Sequence, residues 1–276
     1  MKQSPTYEEY GIAFNYHTHT SRCGHAYGED EEYVKEAIKA GIKRLGFSDH
    51  CIFPDMKEPG MRGDFSLLPD YLSSINGLKE KYKGQIEILV GFEAEYTPGR
   101  TADYLFDLLQ TKKVDYLIQG QHGVVGGTQT RFYGFNRDKV AASKQYLSDV
   151  LLGMNSGLYS YLAHPDLFIE WMDWNETAVN IAKTIAEESI KLDMPLELNC
   201  GYLRRGSTHP PVDSLTWMHY PYPKFWEIIR DYGAKVTYGI DAHSPSDFYH
   251  SASFEVLGLA KQLGLKIVEP RIKKPV

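Results

Sequence analysis

His17 and His19 sit two apart in Tyr16-His17-Thr18-His19-Thr20, a spacing that turns both imidazoles to one side of an extended chain. Residues of ligand type recur downstream, each at the close of a short apolar run. They are His50 in Ser48-Asp49-His50, Glu93 in Gly91-Phe92-Glu93, His122 in Gln121-His122-Gly123, His164 in Ala163-His164-Pro165, and Asp241 with His243 in Asp241-Ala242-His243. His25 follows the first pair in a Cys-Gly-His turn. Any one of these histidines is most simply a hydrogen-bonded structural residue, and the chain's 10 histidines are not many for its length. Seven of them, with two carboxylates, at the same ends of successive strands point instead to bound metal. Imidazole with a minority of carboxylate suits zinc, iron or manganese better than magnesium or calcium. A tetrahedral ion takes only about four ligands, so nine imply two or three divalent ions. Three such ions against two carboxylates leave about four positive charges, which calls for an anionic substrate such as a phosphate ester.

These side chains converge only if the strands that carry them run parallel with their carboxyl ends on one face. The sequence predicts strands at Ala13 to His17, Arg44 to Ser48, Ile86 to Glu93, Tyr116 to Gln121, Tyr159 to His164, Leu196 to Asn199 and Lys235 to Ile240. Leu265 to Val268 is either an eighth strand or an edge piece. Amphipathic stretches between them read as helices. One runs from Glu31 to Ala40 and closes on Gly41, and another follows Asn175 as N-cap with Ala178, Ile181, Ala182, Ile185 and Leu192 on one face. That βα rhythm, without an internal repeat or a convincing linker, predicts one α/β barrel domain over residues 1–276. The Pro-rich, aromatic stretch from Gly201 to Pro223 is expected to be a substrate-facing loop.

Composition narrows the partners. With 30 basic and 36 acidic residues the formal net charge is -6, and no basic stripe announces a nucleic-acid surface. No apolar run is long enough to span a membrane, and the first ten residues lack the apolar region of a secretory signal. Three widely spaced cysteines, Cys23, Cys51 and Cys200, suggest a reducing compartment rather than a disulfide framework. The expected setting is the cytoplasm, and the sequence does not specify an oligomeric state.

Taken in order, His-x-His-Thr, Ser-Asp-His, Gly-Phe-Glu, Gln-His, Ala-His-Pro and Asp-Ala-His resemble the motifs of the polymerase and histidinol phosphatase (PHP) superfamily over nearly the whole chain. His-Thr-x-x-x-Cys-Gly-His near the start and Glu-x-Asn-x-Gly-x-x-Arg at Glu197 to Arg204 look like its histidinol-phosphatase branch. The resemblance implies a distorted (β/α)7 TIM-like barrel of PHP type and a metal-dependent phosphomonoester hydrolase. The expected reaction converts L-histidinol phosphate and water to L-histidinol and phosphate. It also implies a partition of ligands. The first metal falls to His17, His19, Glu93 and Asp241. The second shares Glu93 with His122 and His164, and the third takes His25, His50 and His243. A hydroxide bridging two ions is the expected nucleophile, with Glu93 and Asp241 the catalytic carboxylates. Arg204 is the first candidate for a guanidinium that grips and neutralises the phosphate, and Arg205 the second.

Lesser signals surround this set. Asp49 and Glu95 neighbour ligands and are candidates to orient imidazoles from behind. Cys23 and Cys51 read as packing residues, and His209, His219 and His250 as surface or loop residues. Tyr202, Trp217, Tyr220 and Tyr222 are candidates for an aromatic pocket wall. The segment Pro165-Asp166-Leu167-Phe168-Ile169-Glu170-Trp171 has no basic residue where many histidinol phosphatases carry one, which keeps other phosphomonoesters and nucleotide phosphodiesters as alternative substrates. An amidohydrolase also opens on His-x-His, but it uses fewer histidines and often a modified lysine, and no lysine closes a strand here. A noncatalytic metal module would be marked by lost ligands, and none is lost.

Overall fold

Strands separated by whole helices cannot pair as hairpins and are forced into parallel ladders. The computed structural model describes residues 5–204, 217 and 219–272. In it β1 (Phe14–Asn15), β2 (Arg44–His50), β3 (Glu87–Ala94) and β4 (Tyr116–Gln119) pair in parallel in that order. An antiparallel hairpin of β5 (Gly123–Gly126) and β6 (Gln129–Phe132) follows, and β7 (Leu196–Asn199) and β8 (Val236–Gly239) form a second parallel pair. The helices among the described residues are α1 (Asp30–Lys39), α2 (Leu68–Lys81), α3 (Ala102–Gln110), α4 (Lys139–Asn155), α5 (Glu176–Leu192), α6 (Pro223–Tyr232) and α7 (Ser251–Leu263). Local chemistry sets their ends as expected. Gly41 has φ 84° just beyond α1, and the Asn175 side chain accepts the Ala178 N–H at the start of α5.

Two seams close the parallel strands into a ring. At the first, Leu162 bridges Gln119 on one side and Leu196 on the other. At the second, Thr18 bridges Ala242, with the His19 N–H on the Ala242 carbonyl at 2.8 Å and the Ala242 N–H on the His17 carbonyl at 3.1 Å. Asn15 reinforces that seam: its Oδ1 accepts the Ile240 N–H at 2.9 Å while its Nδ2 donates to the His17 carbonyl at 3.0 Å. The architecture is a distorted (β/α)7 barrel.

Three strands differ from the sequence expectation. β1 keeps its ladder only over Phe14–Asn15, because the Tyr116 side chain crosses the barrel interior and donates its hydroxyl to the Tyr16 carbonyl at 2.8 Å, where a strand partner would otherwise stand. Gly46 and Gly91 give the ring its room, since a Cβ at either would collide with it. The fifth segment pairs only around Leu162, and the chain turns away at His164, which has φ 30°. Leu265 to Val268 contributes one bridge, Ile267 to Val236, on the side of β8 that faces away from β7. There Glu269 takes the Tyr16 hydroxyl and pairs with Arg44.

Asp166, two residues after His164, ties the start of α6 to the fifth segment. Its Oδ2 accepts the Tyr222 N–H at 2.7 Å and the Trp226 Nε1–H at 2.9 Å, while its Oδ1 has no partner. Burial pushes this carboxyl up to about 7, against the smaller opposing effect of those donors. The folded-state value thus lies above the unfolded one. Between pH 4 and 7 the unfolded chain gives up a proton that the folded chain keeps, and stability falls as pH rises. Asp166→Asn should remove that slope. In denaturant unfolding the variant should gain on the parent from pH 4 to 7, by roughly 4 kcal/mol at most, and the difference should be flat above pH 7. A difference independent of pH would refute the assignment.

Candidate metal centre

The strand ends deliver His17, His19, His25, His50, Glu93, His122, His164, Asp241 and His243 to one mouth of the barrel. Glu93, 1 % exposed at the end of β3, is its hub. Its Oε1 lies 2.7 Å from His164 Nε2 and 3.5 Å from His122 Nε2. Its Oε2 lies 3.1 Å from His50 Nδ1 and 3.6 Å from Nε2 of both His17 and His19. Asp241 Oδ1 stands 3.2 Å from His19 Nε2, 3.5 Å from His17 Nε2 and 3.4 Å from His243 Nδ1. Two imidazole pairs meet nitrogen to nitrogen, His17 with His19 at 3.2 Å and His25 with His243 at 3.0 Å. The backbone takes φ 30° at His164 and φ 56° at Asp241, uncommon for residues with a side chain, and such geometry concentrates at functional sites.

Several observations fit this cluster to metal ions. Two nitrogens bound to one tetrahedral zinc at its usual distance stand about 3.4 Å apart, close to both imidazole pairs. Among the buried atoms His164 Nδ1 has no hydrogen-bond partner, and His19 Nδ1, His50 Nδ1 and Asp241 Oδ1 face polar neighbours without hydrogen-bond geometry. Buried polar atoms left so are uncommon, and they concentrate where a ligand belongs. Glycines open the space for the carboxylates. A Cβ on Gly120 would fall on the Glu93 carboxylate, and one on Gly201 on that of Asp241. Donor atoms lie within mutual reach of a single ion in the sets His17–His19–Asp241, His17–Glu93–His164 and His19–His50–His243. Cys23, fully buried, joins His25 and His243 in a further set.

The charges of the cluster are strongly coupled. Burial raises the Glu93 carboxyl, but the neighbouring His122, His17 and His50 outweigh it and hold it well below the usual range. Asp241 is likewise held low, its burial outweighed by His17, His19 and His243. Burial opposes the charge on His17, yet Glu197, Asp241 and Glu93 together raise that imidazole to about 10. His50 and His243 go the other way, with burial holding both well below the ordinary imidazole value. Metal ions entering among these carboxylates therefore compete with the protons that the same carboxylates draw onto His17 and His19.

An outer layer aims the inner one. His17 Nδ1 sits 2.9 and 3.0 Å from the two oxygens of Glu197, a fully buried carboxylate on β7 that also accepts the His164 N–H at 3.2 Å. Glu197 belongs to the Glu-x-Asn motif, but nothing in its spacing points to His17. The signal available in the sequence was a carboxylate between two leucines of a short strand. Glu95 faces His122 Nδ1 at 3.1 Å and is held in turn by the buried Arg62 at 3.1 Å. Sequence reasoning passed over Arg62, which lies in a loop without a motif. Asp49 Oδ1 is 3.5 Å from His19 Nδ1, and its Oδ2 takes the Thr20 hydroxyl.

The phosphate-binding candidates are placed differently. Arg204 lies under the Asp241 corner, where its guanidinium donates to the Ile240 carbonyl at 2.6 Å and to the Asp241 carbonyl, and its Nε is 3.3 Å from Asp247. It also lines a cleft of about 300 Å³ together with His25, Asp241 and His243. Arg205 and His209 lie outside the described residues, as does most of the Gly201 to Pro223 loop. Of the four aromatic candidates, Tyr220 reaches the metal-side pocket. Tyr202 stacks on His219 with ring centroids 4.0 Å apart, Trp217 meets Tyr202 edge-on at 6.0 Å, and Tyr222 packs on Trp174 at 5.0 Å. His250 caps α7, accepting the Ala252 N–H at 3.1 Å. The hairpin β5–β6 and the turn after it, which the sequence reading missed, place Phe132 and Phe135 on the pocket wall. Gly126-Gly127 between two short strand-forming runs was the signal for it.

The family model described as PHP domain matches residues 15–201. A Deinococcus radiodurans protein named "Probable histidinol-phosphatase" is 27 % identical over 238 residues, 84 % of this chain and 86 % of that one. A Lactococcus lactis histidinol-phosphatase is 27 % identical over 175 residues, 61 % of this chain and 62 % of that one. A crystal structure of histidinol phosphate phosphatase from Lactococcus lactis, complexed with zinc, L-histidinol and phosphate, superimposes with a TM-score of 0.68. It is 19 % identical and covers 94 % of this chain and 97 % of that one.

Proposed function

The chain belongs to the PHP domain family, and from that premise we propose that it is a metal-dependent phosphomonoester hydrolase whose substrate is L-histidinol phosphate. The observation that carries this reading is Glu93, with both oxygens turned toward five imidazoles at one barrel mouth. His17, His19, Glu93 and Asp241 would hold one ion, Glu93, His122 and His164 a second, and His25, His50 and His243 a third. Zinc, manganese and iron all suit this donor set. When bound, the metals supply a water acidified to near neutrality as nucleophile and a positive field for the phosphate oxygens.

The chain's own residues do the rest. Glu197 fixes the His17 ring by holding its Nδ1, and Glu95 with Arg62 does the same for His122, so the ligands need little reorganisation when charge shifts in the transition state. Arg204 enters the proposal through its grip on the Asp241 corner and its place on the adjoining cleft, and Arg205 as the second guanidinium for the phosphate. No lysine lines the pocket among the described residues, which leaves nothing for the modified-lysine chemistry of an amidohydrolase. A reducing, cytoplasmic setting belongs to the same proposal, as do one domain over residues 1–276 and a small-molecule phosphate ester rather than nucleic acid as partner. The three cysteines stand free and buried, and no described helix is long and apolar enough to cross a membrane.

Phosphate release by zinc- or manganese-loaded protein, measured on L-histidinol phosphate beside sugar phosphates, nucleotides and p-nitrophenyl phosphate, tests the reading. The expected outcome is a kcat/KM on L-histidinol phosphate at least roughly 100-fold above the panel, lost on chelation and restored by metal. A preference for another ester would replace the substrate. No release from any ester by protein shown to hold metal would end the phosphatase reading.

A further inference from the structure

A loop between β2 and α2 joins the metal centre to the hairpin that carries part of the pocket wall. Arg62, buried in that loop, spreads its guanidinium over three segments. Nη1 donates to the carbonyl of Cys51, one residue beyond His50, at 2.9 Å. Nη2 reaches the two oxygens of Glu95 at 3.1 and 3.2 Å and the Thr130 hydroxyl oxygen at 3.1 Å. Nε donates to Glu58 Oε2 at 2.7 Å. Glu58 in turn grips the hairpin: its Oε1 accepts the Thr130 N–H, and its Oε2 accepts the Thr130 hydroxyl at 3.0 Å. The neighbouring Lys57 N–H donates to the Thr128 carbonyl at 3.1 Å. Thr130 lies on β6, two residues before Phe132 of the pocket wall. Polar contacts thus run without a break from β6 through Glu58, Arg62 and Glu95 to His122 Nδ1.

The side chains of Glu58, Arg62 and Glu95 are at most 7 % exposed, so one guanidinium between two carboxylates balances its charge within the protein rather than in water. His122 Nε2 faces Glu93, which leaves Nδ1 for Glu95. The partner behind a ligating imidazole fixes its orientation and its basicity, and through them the hold on a metal. Arg62 divides its attraction between Glu95 and Glu58, so a charge lost at Glu58 draws Arg62 onto Glu95 and weakens the support of His122. We propose that Glu58 is a positioning residue that couples the seat of the β5–β6 hairpin to the metal ligand His122. This deepens the phosphatase reading and rests on its assignment of one ion to Glu93, His122 and His164. The coupling is reciprocal: an ion at His122 tightens the hairpin, and a loosened hairpin weakens the hold on the ion.

Zinc titration against a competing chelator, and hydrogen–deuterium exchange of residues 123–132 with and without zinc, test it in the parent, Glu58→Gln and Thr130→Val. A glutamine offers one acceptor oxygen where the carboxylate offers two, so its NH2 group meets either the Thr130 N–H or the Arg62 Nε–H. Thr130→Val keeps the shape and every charge, and removes only the hydroxyl that Glu58 and Arg62 share. In the parent, zinc should slow exchange in the hairpin at least about tenfold. Glu58→Gln should hold one zinc roughly 10- to 100-fold more weakly and the others within about threefold of the parent, and its hairpin should no longer respond to zinc. Thr130→Val should move both readouts the same way by less. A merely structural ion pair would lower Tm and leave zinc affinities and the exchange response unchanged. That result in Glu58→Gln, or in Thr130→Val should Glu58→Gln not fold, overturns the proposal, as does a parent hairpin indifferent to zinc. A zinc-loaded parent whose hairpin responds but which releases no phosphate from any ester would sink the phosphatase reading alone, which keeps the two failures apart.

Discussion

Glu93→Gln should fold, bind metal poorly and lose at least roughly three orders of magnitude in kcat/KM on its best phosphate ester. The argument is electrostatic. Glu93 stands between the imidazoles, and each of its oxygens serves a different set, His122 and His164 on one side and His17, His19 and His50 on the other. An amide retains one acceptor oxygen and no charge, so it cannot join two cations, and its NH2 group turns a donor toward one of the sets. The backbone around it should tolerate the change, since β3 pairs with β2 on one side and β4 on the other through main-chain bonds alone. Metal content per chain and thermal unfolding with and without chelator decide the matter. The parent should gain stability from metal by mass action, several kcal/mol at a thousandfold excess over Kd, and the variant should gain little. Full metal occupancy with full activity in Glu93→Gln would remove Glu93 from the centre of the mechanism.

How much of this could be read from the sequence depends on the range of the interaction. The motif residues were legible because each closes an apolar run, and a parallel barrel converts the ends of strands into neighbours without further information. Helices α1 and α5 were legible because their caps and faces are local. What escaped is what one distant segment does to another. The Glu197 bond to His17 joins residues 180 apart. The shortening of β1 is caused by a tyrosine a hundred residues downstream. Arg204 was expected from its motif to face phosphate, and the structure shows its guanidinium held by the carbonyls of Ile240 and Asp241, which no spacing rule reports. Among the described residues the aromatic wall comes mainly from the hairpin, the turn after it and the Leu167–Glu170 turn, because those segments follow strand ends and are carried to the mouth with them.

Gly120 offers a steric test of the same centre. Its φ is not in the left-handed region, so an alanine meets no backbone penalty there, and the only obstacle is what its Cβ would touch. That obstacle is the Glu93 side chain, with Oε1, Cδ and Cγ all inside contact distance. Glu93 is 1 % exposed and ringed by histidines, so it cannot rotate away into solvent. Either the carboxylate leaves the cluster, or the pairing of Glu93 with Ile118 is pushed apart. Overpacking of this kind costs about 1–3 kcal/mol. Gly120→Ala should therefore remain folded with a modestly lowered Tm, yet lose phosphate release by about the same factor as Glu93→Gln. Gly239→Ala makes the graded comparison. Its Cβ would fall on Glu197, one bond removed from the ligands, and displacing an outer partner weakens metal affinity about 10- to 100-fold rather than abolishing binding. Gly126→Ala, whose nearest neighbour is the Arg131 guanidinium at 3.8 Å, should change neither quantity. The order expected in metal affinity is Gly120→Ala below Gly239→Ala below Gly126→Ala. A Gly120→Ala protein with metal affinity and turnover within tenfold of the parent would show that Glu93 does its work from a position other than the one it occupies here.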